Sequence, residues 1–108
     1  MIKFGKINMA KNLFELFENH DDFECQEGKQ QIMIFFQGQK VGGYNTKSSH
    51  WYLSKMFVAN KVSDAELLSY GFKMKEIKKS SHMYWEAKGL TAEENFKNAL
   101  IHMTSAEL

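Results

Sequence analysis

The chain has 108 residues, 44% of them hydrophobic and 25% charged, with nine Phe, four Tyr, two Trp, seven Met and a net charge of +1. That is one domain's length and enough apolar material for a real core, which argues against an intrinsically disordered chain and predicts a single domain over residues 1–108. No apolar run approaches the roughly 20 residues of a membrane span, the start MIKFGKINMAKN lacks the apolar stretch of a secretory signal, and one cysteine, Cys25, cannot form an internal disulfide; the expected compartment is the cytoplasm.

In chain order, Asn8 is a candidate cap for a first helix over about 9–20. Met9, Leu13, Phe14, Leu16 and Phe17 recur there at helical spacing until the polar run Glu18 to Asp22. QQIMIFF, Gln30 to Phe36, is a short β-branched and aromatic run between Gly28 and Gly38; its length predicts a buried strand. QKVGGYN follows as a second strand, with glycines that permit a bulge or a close approach of backbones. The turn TKSS then leads into a third strand, HWYLSKMFV. These three are expected to form an antiparallel meander.

Ser63-Asp64-Ala65-Glu66 has the pattern of a capping box. A short helix carrying Leu67, Leu68 and Tyr70 should follow it and stop at Gly71 as a left-handed C-cap. FKMKEIKK alternates apolar and charged residues before losing phase near Glu76 and Ile77, which predicts a strand with a bulge; HMYWEAKG is its hairpin partner. Thr91-Ala92-Glu93-Glu94 is a second capping-box pattern, and Ala92, Phe96, Ala99, Leu100 and Met103 then line one helix face. The expected architecture is therefore a two-layer α+β domain in the order α-βββ-α-ββ-α. A single antiparallel sheet of about five strands carries the helices on one face, and the other face is left wet or covered by something else.

The phrase Lys47-Ser48-Ser49-His50-Trp51-Tyr52 returns as Lys79-Ser80-Ser81-His82-Met83-Tyr84. Turn chemistry explains the Lys-Ser-Ser part. Period-2 alternation places Trp51, Leu53 and Phe57 on the core face with Met83, Trp85 and Ala87. The opposite face then receives His50, Tyr52 and Ser54 from one strand and His82, Tyr84 and Glu86 from the other. This is a candidate docking surface for a second copy or another protein, and a pair of interfacial histidines there would weaken association on protonation.

Other chemistries find less support. His20, Asp21, Asp22 and Cys25, or His50 with His82, lack the spacing of metal ligands, so no metal or cofactor is expected. Cys25 has no adjacent group to activate it as a nucleophile. Phosphate-loop, dinucleotide and zincin patterns are missing, and no catalytic residue is assigned. An enzyme would instead have to gather His50 or His82 with a carboxylate such as Glu86 in a concave pocket. Charge is uneven: residues 40–88 carry nine Lys against four acids, while residues 1–39 carry four Lys against six acids. Lys47, Lys55, Lys73, Lys75, Lys78 and Lys79, interleaved with aromatics, define an alternative, sequence-nonspecific nucleic-acid surface. The chain has no Arg, the residue best suited to reading guanine edges.

From about Lys40 onward the order of features, with the His50-Trp51-Tyr52 segment, a helix, a hairpin and a final helix, resembles the YdhG-like proteins, small bacterial domains associated with frataxin-like proteins. The phrase GYNTKSSHW, Gly43 to Trp51, is similar to one in YjbR-like proteins, proposed DNA-binding domains. The resemblance implies the α-βββ-α-ββ-α topology also found in type III secretion chaperones, and supplies no set of catalytic residues.

Overall fold

The computed structural model describes residues 11–59, 61–76, 83–106 and 108. Helix α1 (Lys11–Glu18) precedes strands β1 (Phe23–Glu27), β2 (Gln31–Phe36), β3 (Gln39–Asn45) and β4 (His50–Ser54). A single helical turn α2 (Lys55–Val58), helix α3 (Asp64–Ser69), strands β5 (Lys73–Glu76) and β6 (Met83–Ala87), and helix α4 (Ala92–Thr104) complete the chain. The strands form one antiparallel sheet in the order β1-β2-β3-β4-β6-β5. The architecture is the expected α+β class, with six strands in place of about five.

Three local readings need correction. The polar stretch after α1 is a strand: Phe23 and Cys25 alternate inward between exposed Glu24 and Gln26. As an edge strand with one solvated side, β1 needs only those two apolar residues to be held. The strand expected through Val58 ends at Ser54, and Phe57 reaches the core from α2 instead. The adjacent residues Phe57 and Val58 are both buried, which a strand with one open face does not allow. Finally, Thr91 makes no side-chain cap to α4. Its hydroxyl accepts from Asn95 Nδ2 at 3.3 Å instead. Asn8, Ile77 and the segment that would carry the predicted bulge lie outside the described residues.

The other cap forms as read. Ser63 Oγ accepts from the Glu66 amide at 3.1 Å, and Glu66 Oε1 accepts from the Ser63 amide at 3.1 Å. At the far end Gly71 has φ +89°, and its amide donates to Leu68 O while that of Phe72 donates to Leu67 O. This is a complete Schellman ending that only a left-handed residue closes without strain. Between β2 and β3 the turn is two residues long, with Gln37 at φ 50° and Gly38 at φ 81°, the type I′ geometry whose twist suits a hairpin.

One layer of helices covers one face of the sheet. Leu13, Phe14 and Phe17 of α1, Phe57 of α2, Leu67 of α3 and Phe96, Ala99 and Leu100 of α4 join Ile32, Ile34, Val41, Trp51, Leu53, Trp85 and Ala87 in one buried cluster. Its centre is aromatic: the Trp51 ring lies 4.7 Å from Phe96 and 5.2 Å from Phe14 between ring centroids. The strands that follow the two repeated phrases are antiparallel neighbours, and the expected core-face residues meet across them, Trp51 opposite Ala87 and Leu53 opposite Trp85. The side chain of Met83 lies outside the description. No described helix is long and apolar enough to cross a membrane.

Candidate functional site on the helix-free sheet face

Strand alternation sends every second residue to the face on which none of the described helices packs. One row across it reads Gln26, Met33, Gly43, Tyr52, Glu86 and Lys73, taken from the ladder partners. The sequence-predicted residues Tyr52, Ser54 and Glu86 are on this face, with Tyr52 opposite Glu86 and Ser54 opposite Tyr84. The backbone of Tyr84 is placed by that ladder, but its side chain is outside the description. His82 lies outside the described residues altogether, so the expected His50–His82 pairing does too.

His50 corrects the expectation of an open, wet face. It lies on this side of the sheet but is only 6% exposed. Its Nδ1 is hydrogen-bonded to Ser48 Oγ at 2.7 Å. Its Nε2 stands 3.8 Å from Glu86 Oε2, beyond hydrogen-bond length, and its ring lies 6.4 Å from that of Tyr52. A histidine at the first position of a central strand is flanked on both sides, by Asn45 of β3 in the ladder and by Glu86 of β6. Sequence alternation gives the face of a residue but not the crowding from neighbouring strands.

Ser48, His50 and Glu86 fall in the order of a nucleophile, a base and a carboxylate. The amides of Lys47 and Ser48 both donate to Asn45 Oδ1 at 3.0 Å. With the Ser48–His50 hydrogen bond, these contacts tie down the β3–β4 turn.

The most ordered part of the face is built around Tyr52. Gly43, its ladder partner, admits no side chain: a Cβ there would stand 2.3 Å from the Ile32 carbonyl oxygen. The Tyr52 ring lies over this bare backbone, its hydroxyl donating to Gln31 Oε1 of β2, so an aromatic residue covers the surface that glycine leaves open. Lys40 Nζ stands 5.4 Å from the centre of that ring. Burial pushes the Lys40 ammonium below its ordinary pKa, as dehydration of a cation does. Half-buried Met33 and Phe35 continue the face on β2.

Sequence reasoning missed Gln31, Met33, Phe35 and Lys40 as members of this face. The run QQIMIFF reads as wholly buried, yet it alternates: Ile32 and Ile34 are fully buried while Met33 and Phe35 are only partly so. The chemical difference between Ile and Met or Phe is too small to mark the phase. The glycine pair was the usable signal, since both glycines sit where strands approach closely: a Cβ at Gly42 would stand 2.0 Å from the Tyr52 carbonyl oxygen.

Among the described residues the predicted lysines do not fall in one stripe. Lys47 precedes β4 and Lys55 follows it, at opposite ends of a strand, while Lys73 is on the edge strand β5 opposite Glu86. Lys75 pairs with Tyr84 in the ladder, its side chain outside the description. Lys78 and Lys79 lie outside the described residues.

Elsewhere, Cys25 is buried among core residues. Burial, with the charges of Glu18 and Glu24, pushes its thiol up to about 12, which keeps it un-ionised and a poor nucleophile. His20 Nδ1 accepts from the Asp22 amide at 3.1 Å, capping its own turn. Among the described residues no three His, Cys, Asp or Glu side chains gather as a metal site.

No protein-family model, curated protein or solved structure matches this chain.

Proposed function

We propose that this chain is a non-enzymatic module that binds a second copy of itself, or another protein, through the helix-free face of its sheet. The observation that carries this reading is the one-sided layering. All the described helices pack on one face, and the other holds a preorganised aromatic and methionine surface: Tyr52 seated on Gly43, with Met33 and Phe35 beside it. Aromatic and Met side chains are enriched in protein interfaces, and a tyrosine already fixed by a hydrogen bond loses little conformational freedom on docking. The likeness to YdhG-like and YjbR-like domains is part of the same reading, as is a cytoplasmic setting.

Nucleic-acid binding through the lysines is the alternative. Lys40 above the Tyr52 ring is the one feature on this face that favours it, because stacking and phosphate neutralisation use such pairs.

Light scattering on a size-exclusion column at low and at high salt tests the proposal, with Met33→Lys alongside. Met33 is chosen because it is on the face without taking part in the Tyr52 hydrogen bond. A wild-type dimer that persists in high salt, and a Met33→Lys variant that is monomeric with an unchanged melting temperature, is the expected result. A monomer under every condition would refute self-association. Oligonucleotide binding that weakens steeply with salt would replace the proposal with the alternative.

A further inference from the structure

A second concave feature lies on the helix-covered side, away from the face just described. Between the β3–β4 hairpin and the β6–α4 connection is a cavity of about 140 Å³, lined by Tyr44, Ser49, Trp51, Gly89, Leu90, Ala92 and Glu93. Tyr44 and Trp51 are ladder partners whose rings lie 4.9 Å apart, so one wall is aromatic. Leu90 forms a rim that is 93% exposed. Glu93 is the single charged side chain in the lining.

Glu93 is in an unusual position for a carboxylate. Its Oε1 is shut off from solvent and has no hydrogen-bond partner, although buried acceptors are normally satisfied. Burial, reinforced by the neighbouring charge of Glu94, holds its pKa above the ordinary glutamate value in spite of Lys97. The first turn of α4 supplies a favourable dipole for an acid, yet Glu94 occupies that turn as well and is not part of the lining. A single half-buried acid beside an aromatic wall and an exposed apolar rim is a negative site in search of a positive partner.

We infer that this cavity binds an alkylammonium group, with the Glu93 carboxylate as counter-ion and Tyr44 and Trp51 as the aromatic wall. A cation in the cavity faces the Glu93 carboxylate and gains from the ring faces nearby, whereas an anion would be repelled by Glu93 and a neutral apolar ligand would leave its charge unpaired. A hard metal ion would require six or more oxygen ligands, and no group of three metal-binding side chains exists among the described residues. A guanidinium favours two parallel contacts on one carboxylate, which an enclosed Oε1 does not present. The volume is close to the roughly 150 Å³ that accommodates benzene, so a straight stem of about four carbons, as in lysine, fits. The ammonium comes either from a free small amine or from a lysine side chain on a partner.

The test is a ¹H–¹⁵N NMR titration of the full chain with n-butylamine at neutral pH, with 1-butanol as the uncharged control and N-acetyl-lysine methylamide as the peptide-like probe. The expected result is saturable movement of the Trp51 indole and the Gly89 to Glu93 amides with the amine. Binding should weaken about tenfold or more for butanol and for the near-isosteric Glu93→Gln variant, the factor a lost charged hydrogen bond implies. Because Gln at this position removes an unpaired charge, the variant stays folded and its spectrum checks that directly. Tighter binding of the lysine derivative would assign the ammonium to a protein partner, and selective binding of butylamine to a free amine; both support the site. Equal response to amine and alcohol, no response to either amine, or unchanged binding in Glu93→Gln overturns it.

Discussion

The two faces of the sheet obey different rules. On the helix-covered face the side chains are large, apolar and interlocked: Trp51 is held between Phe14 and Phe96, and Leu53, Ile32 and Ile34 are wholly buried. On the other face order comes from single, directed interactions, with Tyr52 bonded to Gln31 across a glycine and His50 bonded to Ser48 in a turn. Packing density stabilises the first face and specific polar contacts organise the second. The first should therefore dominate stability, and the second should tolerate change and be free for recognition.

The largest expected effect tests the covered face. Phe96→Ala removes the ring that meets both Trp51 and Phe17 and should cost about 3–5 kcal/mol, read as a lower midpoint in urea unfolding. On the other face Gly43→Ala should cost about 1–3 kcal/mol by overpacking against the Ile32 carbonyl. An equal or larger loss there than for Phe96→Ala would break the contrast between the faces. Tyr52→Phe removes the hydrogen bond to Gln31 and should cost about 1 kcal/mol.

The helix ends sharpen the comparison at a smaller scale. Ser63→Ala deletes a formed capping box and should cost about 1 kcal/mol, whereas Thr91→Ala, which deletes no cap, should stay within about 0.5 kcal/mol; thermal melts of the two variants side by side distinguish them.

The smallest effect concerns pH. Glu93 has a folded pKa above its unfolded value, so the native state holds its proton more tightly. Stability is then lost as pH rises from the ordinary glutamate pKa through the raised one. Glu93→Gln should accordingly melt slightly higher than wild type at neutral pH, with the advantage vanishing in acid. Glu66 has the opposite sign: the Ser63 amide and hydroxyl, then His102, hold its carboxyl below the ordinary value, so its contribution is present at neutral pH and fades as pH falls through that lowered pKa.

Much of this architecture was legible. The 3.6-residue spacing of Ala92, Phe96, Ala99 and Leu100 marks α4, and the same residues are its buried face. The Ser63 and Glu66 pair announces a cap that forms, and Gly71 a C-terminus that closes left-handed. Local rules suffice where the partners are three to five residues apart. They fail for β1, whose two inward residues are too few to stand out, and for α2, where a run of apolar residues turns away from the sheet after Ser54. Thr91 has the same local pattern as Ser63 and does not cap, because with φ −98° and ψ 2° it enters the helix from a conformation that turns its hydroxyl away from the third amide.

The docking face was legible only in part. Alternation alone put Tyr52, Ser54 and Glu86 on one side of the sheet, and the ladder keeps them there. It could not say that His50 would be enclosed, that Lys40 would stand over Tyr52, or that Gln31, twenty-one positions away, would accept the tyrosine's hydrogen bond. The amino-acid sequence by itself thus determined the class of the fold, the inward residues of β4, β6 and α4 and the one-sided helix layer, since periodicity and caps act over a few residues. Only the tertiary structure decided the strand order, the burial of His50 and the enclosure of Glu93 beside an aromatic wall. Those depend on which distant strands become neighbours, and on how much water their side chains exclude from one another.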